Sequence, residues 1–110
     1  METSLHDTNI LIDHVRDGAT SLEGYTTILN LIEFPKAVTL QGLDIILPGK
    51  DDYDKGFELS LLLLEAGTPI PAIDIVLAAV AINRNLVLQT RDQHFEYVRK
   101  INQEFQVRIK

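Results

Sequence analysis

The sequence contains no cysteine. That excludes a disulfide scaffold, a thiolate zinc site and a cysteine nucleophile together. No apolar stretch approaches the ~18–20 residues that a membrane-spanning helix needs, so no membrane association is expected. The opening METSLHDTN lacks both the basic and the apolar part of a secretory leader, and the expectation is a cytoplasmic protein. Internal repeats, low-complexity tracts and linker-like segments are missing as well. Basic residues are few: ten Lys and Arg stand against sixteen Asp and Glu, a formal charge of −6. Taken alone, that balance argues against a nucleic-acid partner.

What the chain does have is apolar bulk. Of its 110 residues, 45% are hydrophobic and 35 are Ile, Leu or Val. This is enough for one domain with a sizeable core, spanning 1–110, and too little chain for two. The charge is also uneven. Residues 1–83 carry thirteen acids and four bases, whereas 84–110 carry three acids and six bases. The basic end is either ordinary surface variation or a lip beside an acidic pocket.

Apolar segments alternate in period and length along the chain. A short strand around Leu5 closes on Asp7, and the capping residues Thr8 and Asn9 open a helix through Ile10–Ile12. The polar residues Thr3, Ser4 and His6 predict that this first strand is short. A loop at 18–21 leads to a strand at Tyr25–Thr27 and a helix through Ile28–Ile32 carrying Glu33, ended by Pro35. Leu43–Leu47 reads as a buried strand, bounded by Gly42 and the Pro48-Gly49 turn. Asp51–Ala66 reads as a helix with acids in its first turns, Tyr53, Phe57, Leu61 and Leu64 on one face, and Gly67 as its stop. Its leucine run covers more than one face, which fits either burial within the monomer or packing on a second subunit. Pro71 opens another helix with Ile73, Val76, Leu77 and Val80 on one face. A strand at Leu86–Gln89, a helix over 92–105 and a strand at Val107–Ile109 complete an α/β pattern with a mainly parallel sheet.

In such sheets ligands gather beyond the C-terminal ends of the strands. Asp7 and Asp92 fall there directly. Glu33 and Asp74 sit among apolar neighbours, where a carboxylate is costly to bury unless it is paired or bound to a cation. Four carboxylates without matching bases repel one another, and an all-oxygen set suits Mg²⁺ or Mn²⁺. Periodicity and composition reach a possible carboxylate metal site and no further. Ordinary solvated or helix-start roles remain open for each acid taken alone.

The motifs carry more. DTNILID at 7–13, LIE at 31–33, IDIVLAAVA at 73–81 and LQTRDQHF at 88–95 follow one another in an order that resembles PIN-domain ribonucleases. The nearest resemblance is to the VapC-type toxins of toxin–antitoxin pairs, and it covers about 5–98. It implies a three-layer α/β/α, PIN-like fold. It also implies an endoribonuclease dependent on Mg²⁺ or Mn²⁺, with Asp7, Glu33, Asp74 and Asp92 as the acidic quartet at the metal. Asp7, Glu33 and Asp74 would be the direct ligands, and Asp92 would bind through water or complete a second site. Asn9 and Thr90 match the polar residues that support the quartet, and Arg91 stands where it would contact a phosphate or pair with a site carboxylate. The implied partners are an RNA substrate, a cognate antitoxin and a second copy of the chain in a homodimer. The alternative is a catalytically inactive module that binds a protein partner or RNA on the same scaffold. A receiver-type signalling domain does not fit, because Asp44 precedes its strand and no lysine lies near Thr90. Asp13 and His14 read as solvated helix residues, His94 as a capping or packing side chain, and Asp51, Asp52 and Asp54 as helix-start acids.

Overall fold

The computed structural model describes residues 3–110. Five strands form one sheet in the order β3-β2-β1-β4-β5, and every pair is parallel. The strands are β1 (Ser4–His6), β2 (Ser21–Thr27), β3 (Gln41–Ile46), β4 (Val87–Thr90) and β5 (Gln106–Ile109). The helices are α1 (Thr8–Arg16), α2 (Ile28–Glu33), α3 (Lys50–Glu65), α4 (Ala72–Arg84) and α5 (Phe95–Ile101), with a 3-10 segment at Pro35–Thr39. The short first strand is central, and the chain runs outward from it, first to β3 and then, after α3 and α4, to β4 and β5. The strand order therefore reverses between β1 and β4. A crevice opens at such a switch point beyond the strand ends.

Two apolar clusters fill the layers. One joins Leu5 and Leu88 to Leu59 and Leu63 of α3, the Ile75–Ala81 stretch of α4, and Phe95, Val98 and Phe105. The other joins Leu11, Ala37 and Leu40 to Leu22, Leu31 and Leu43. Leu22 with Leu43 enters one cluster and Tyr25 with Ile46 the other, as alternation along β2 and β3 requires. The fold class is α/β, with helices on both faces of a parallel sheet. No helix among the described residues is long and apolar enough to cross a membrane.

Three sequence expectations change. β3 is an edge strand, mostly exposed, rather than a buried one, and Leu47 beyond it is exposed. The last helix covers only Phe95–Ile101, so Asp92 lies in the turn before it. On α3 the expected apolar face (Tyr53, Phe57, Leu61, Leu64) points outward, and the buried stripe is Asp52, Gly56, Leu59 and Leu63. Gly56 faces α4, where a methyl would make ordinary van der Waals contact with Ile75 at 3.7 Å and Ala79 at 4.0 Å.

Asp52 is tolerated on the buried stripe because it is fully partnered. Its carboxylate accepts from both Arg84 guanidinium nitrogens at 2.6 and 3.0 Å, from Asn83 at 3.1 Å and from the Gly49 N–H at 2.8 Å. Burial pushes its pKa up, but Arg84, Gly49 and Asn83 outweigh that and hold the carboxyl below its ordinary value.

Candidate metal centre

Each acid of the expected quartet reaches the cleft from a different element. Asp7 follows β1 and caps α1: its Oδ1 accepts from the Thr8 N–H at 2.7 Å. Its Oδ2 accepts from the Thr90 hydroxyl at 2.7 Å, and Asn9 Nδ2 lies 3.5 Å away. The Thr90 oxygen in turn accepts from the Asp92 N–H at 3.0 Å, and Asn9 Oδ1 accepts from the Arg91 N–H at 3.1 Å. The β1 and β4 ends are thus tied together by Asn9 and Thr90 around Asp7, which is only 5% exposed.

Glu33 ends α2. Contrary to the expectation of an acid buried among apolar neighbours, it is exposed to solvent. Its Oε1 accepts from the Thr8 hydroxyl at 2.8 Å, and Thr8 Oγ1 accepts from Asn30 Nδ2 at 2.9 Å. Asn30 is buried and locked by Thr27, whose hydroxyl donates to Asn30 Oδ1 at 2.7 Å. Asp74 lies in the first turn of α4, where the helix N-terminus favours an acid.

Asp7, Thr8, Asn9, Ile12, Glu33, Pro71, Ala72, Ile73, Asp74 and Asp92 line one open cleft of about 670 Å³. None of these is a lysine or an arginine. A separate cavity of about 620 Å³, at the opposite end of α4, is built on the Asp52–Arg84 pair. Burial raises the pKa of Asp7 first of all, and the charges of Asp92 and Glu33 add to it against the Thr90 and Thr8 hydrogen bonds. Asp74 is pushed up to about 6 by burial and by Asp7, Asp92 and Glu33, with His94 opposing. The cleft therefore concentrates negative charge that it does not neutralise.

The tightest grouping departs from the expected ligand set. Asp74, Asp92 and His94 offer ligand atoms within 4.8 Å of one another, a group that includes neither Asp7 nor Glu33. His94, expected to cap or pack, does pack on Phe95 (centroids 5.0 Å apart), yet its Nε2 lies 2.9 Å from Asp74 Oδ2. A histidine two residues after a strand-end acid was the only available signal. The part that Thr8 and Asn30 play at Glu33 has no local signal, because Thr8 lies 25 positions from Glu33 and 22 from Asn30.

Arg91 turns from the cleft and pairs with Asp13 at 3.2 Å. Asp13, expected to be solvated, also holds Arg16 at 2.7 Å. His14 is held by its Nδ1 to the Ile10 carbonyl at 2.9 Å. His6 is buried against β2, with Nε2 at 2.9 Å from the Glu23 carbonyl, and burial lowers its pKa. Three of the six bases at the end of the chain are engaged by acids. Arg84, Arg91 and Arg99 pair with Asp52, Asp13 and Glu96.

No protein-family model and no curated protein matches the sequence. Solved structures do. A chain of VapBC2 from Rickettsia felis, bound to a DNA fragment from its promoter, superposes with a TM-score of 0.79 at 18% identity, over 97% of this chain and 98% of that one. DNA-bound VapBC from Salmonella typhimurium gives 0.77 at 15% identity, over 99% and 98%. VapBC-5 from Mycobacterium tuberculosis, a toxin–antitoxin system, gives 0.73 at 21%, again over 99% and 98%. At these identities the likeness establishes a shared fold: the chain has the PIN-like α/β architecture of its VapBC neighbours.

Proposed function

We propose that this chain is a divalent-metal-dependent endoribonuclease, the toxin of a toxin–antitoxin pair. The observation that carries the reading is the convergence of Asp7, Glu33, Asp74 and Asp92 on one cleft that contains no lysine or arginine. The donor set fits a divalent cation: carboxylates crowd together, and the pKa of Asp74 is raised by burial first and then by the charges of Asp7, Asp92 and Glu33.

Asp74 and Asp92 would hold the cation, with Asp7 and Glu33 facing the same space. Bound there, a divalent ion supplies an acidified water and counter-charge for phosphate oxygens. The remaining work falls to the chain. Thr90 and Asn9 hold the Asp7 carboxylate, and the Thr27–Asn30–Thr8 relay aims Glu33 from the far wall. Because the field of the acids is strongly negative until a cation is bound, RNA binding is expected to be weak, metal-dependent and salt-sensitive. Mg²⁺ and Mn²⁺ are the first ions to assay.

The toxin reading draws on the VapBC neighbours, which are toxin–antitoxin assemblies, and a cognate antitoxin is the implied protein partner. A homodimer is supported by the outward apolar stripe of Tyr53, Phe57, Leu61 and Leu64. A dimer mass by light scattering at micromolar concentration is the expected result, and a monomer mass contradicts it. The function is tested on a panel of structured RNAs with Mg²⁺ or Mn²⁺. Internal cleavage that stops on adding EDTA is expected. Cleavage that survives chelation overturns the metal mechanism, and RNA binding without cleavage supports the inactive-module alternative.

A further inference from the structure

The closest set of ligand atoms among the described residues mixes nitrogen with oxygen. His94 Nε2 is 2.9 Å from Asp74 Oδ2 and 3.8 Å from Asp92 Oδ2. That nitrogen is shut off from solvent and completes no hydrogen bond, although the ring edge keeps some exposure. The approach to Asp74 is thus short in distance but off the direction a shared proton needs. A buried ring nitrogen in that position asks for another partner.

The spacing points to what the partner is. Two ligands about 2.1 Å from one cation and at right angles around it are ~3.0 Å apart. Asp74 and His94 already stand at that separation, and Asp92 is close enough to join them. The imidazole is also held in place: it lies against Phe95, a fully buried core residue. Loose side chains do not make good metal sites; supported ones do.

We propose that His94 binds the divalent cation directly through Nε2, alongside Asp74 and Asp92. This nitrogen biases the site towards a first-row transition ion such as Mn²⁺ over Mg²⁺. The inference rests on the metal-site reading above and adds to it a ligand outside the carboxylate quartet. Its chemical basis is that Mg²⁺ favours oxygen donors and keeps its waters, whereas first-row transition ions accept imidazole nitrogen more readily, modestly at Mn²⁺ and increasingly along the row. The residue that reads in the sequence as a capping or packing side chain would then set which metal the protein takes.

Mn²⁺ is titrated into the whole chain without RNA, and bound Mn²⁺ is examined by pulsed EPR for coupling to a directly bonded ¹⁴N. The expected result is one strong ¹⁴N coupling in the wild type that disappears in His94→Gln. By calorimetry, His94→Gln should weaken Mn²⁺ binding about tenfold or more, with a clearly smaller effect on Mg²⁺. Mn²⁺ bound without nitrogen coupling overturns the proposal and leaves the carboxylate site standing. No Mn²⁺ binding by the wild type overturns both. The wild-type spectrum alone decides the matter should the variant fail to fold.

Discussion

Replacing Asp74 by asparagine should make the metal-free protein more stable. Asp74 is 17% exposed at the mouth of the cleft, and its pKa stands at about 6 instead of 3.8. A shift of that size corresponds to about 3 kcal/mol of penalty on the ionised form at neutral pH. The variant loses some of this gain, because an acid in the first turn of α4 contributes roughly 0.3–1 kcal/mol through the helix dipole. A net gain of about 2 kcal/mol remains, or ~8 °C in Tm for a domain of this size. The pH dependence follows from the sign of the shift. A raised folded-state pKa means that the favourable contribution of protonated Asp74 is complete below pH ~3.8 and lost as pH rises through about 6. The difference between variant and wild type should therefore be small near pH 4 and full at pH 7.5. Thermal melts followed by circular dichroism in EDTA at the two pH values measure it. Saturating Mn²⁺ should then stabilise the wild type by about 2.7 kcal/mol at a hundred times Kd, with a matching rise in Tm, and stabilise the variant much less. A variant that melts at or below the wild type at pH 7.5 in EDTA would refute the reasoning, as would a gain equal at both pH values.

Arg84→Met should cost about 2–3 kcal/mol in urea unfolding at pH 7, since it leaves the nearly inaccessible Asp52 carboxylate without its guanidinium; the figure allows for the partial exposure of Arg84. Because the Asp52 pKa is depressed, that cost should hold above pH ~3.8 and fade as pH falls through the lower folded value. Gly24→Ala should destabilise by about 2–4 kcal/mol in the same assay: Gly24 has φ +119°, and a Cβ there would meet the Ser4 carbonyl oxygen at 2.8 Å and His6 Nε2 at 3.0 Å. Thr90→Val removes a donor to buried Asp7 and an acceptor for the Asp92 N–H, so about 1.5–3 kcal/mol of stability should be lost in urea unfolding.

The order of strands and helices was legible because each apolar run has a length, a period and a turn signal of its own. The face that each element buries was not, and α3 shows why. Its leucines surround the helix, and the inward stripe includes Asp52, whose partner Arg84 lies thirty-two positions away. No window of sequence contains that pair. β3 read as a buried strand because its composition is apolar, but burial depends on its place at the edge of the sheet. That Asp7, Asp74 and Asp92 face one cleft was legible because strand ends and a helix start fix where they lie, whereas the grouping of all four acids came from the resemblance. Their supports, Thr8, Asn30 and His94, depend on contacts between separate segments. Likewise the −6 charge described the protein poorly as a whole. Four of its acids line a cleft without lysine or arginine, and three others partner Arg84, Arg91 and Arg99.

The most direct test of the account is the rate of RNA cleavage against Mn²⁺ concentration for the wild type, Asp7→Asn and Asp54→Asn. Asn fits the Asp7 position without loss of volume, whereas Asp54 pairs with Lys50 on the surface away from the cleft. The account predicts saturable, Mn²⁺-dependent cleavage by the wild type and Asp54→Asn, and a loss of at least about a hundredfold in Asp7→Asn, the scale of losing several kcal/mol of transition-state stabilisation. Equal rates in Asp7→Asn and the wild type would contradict it.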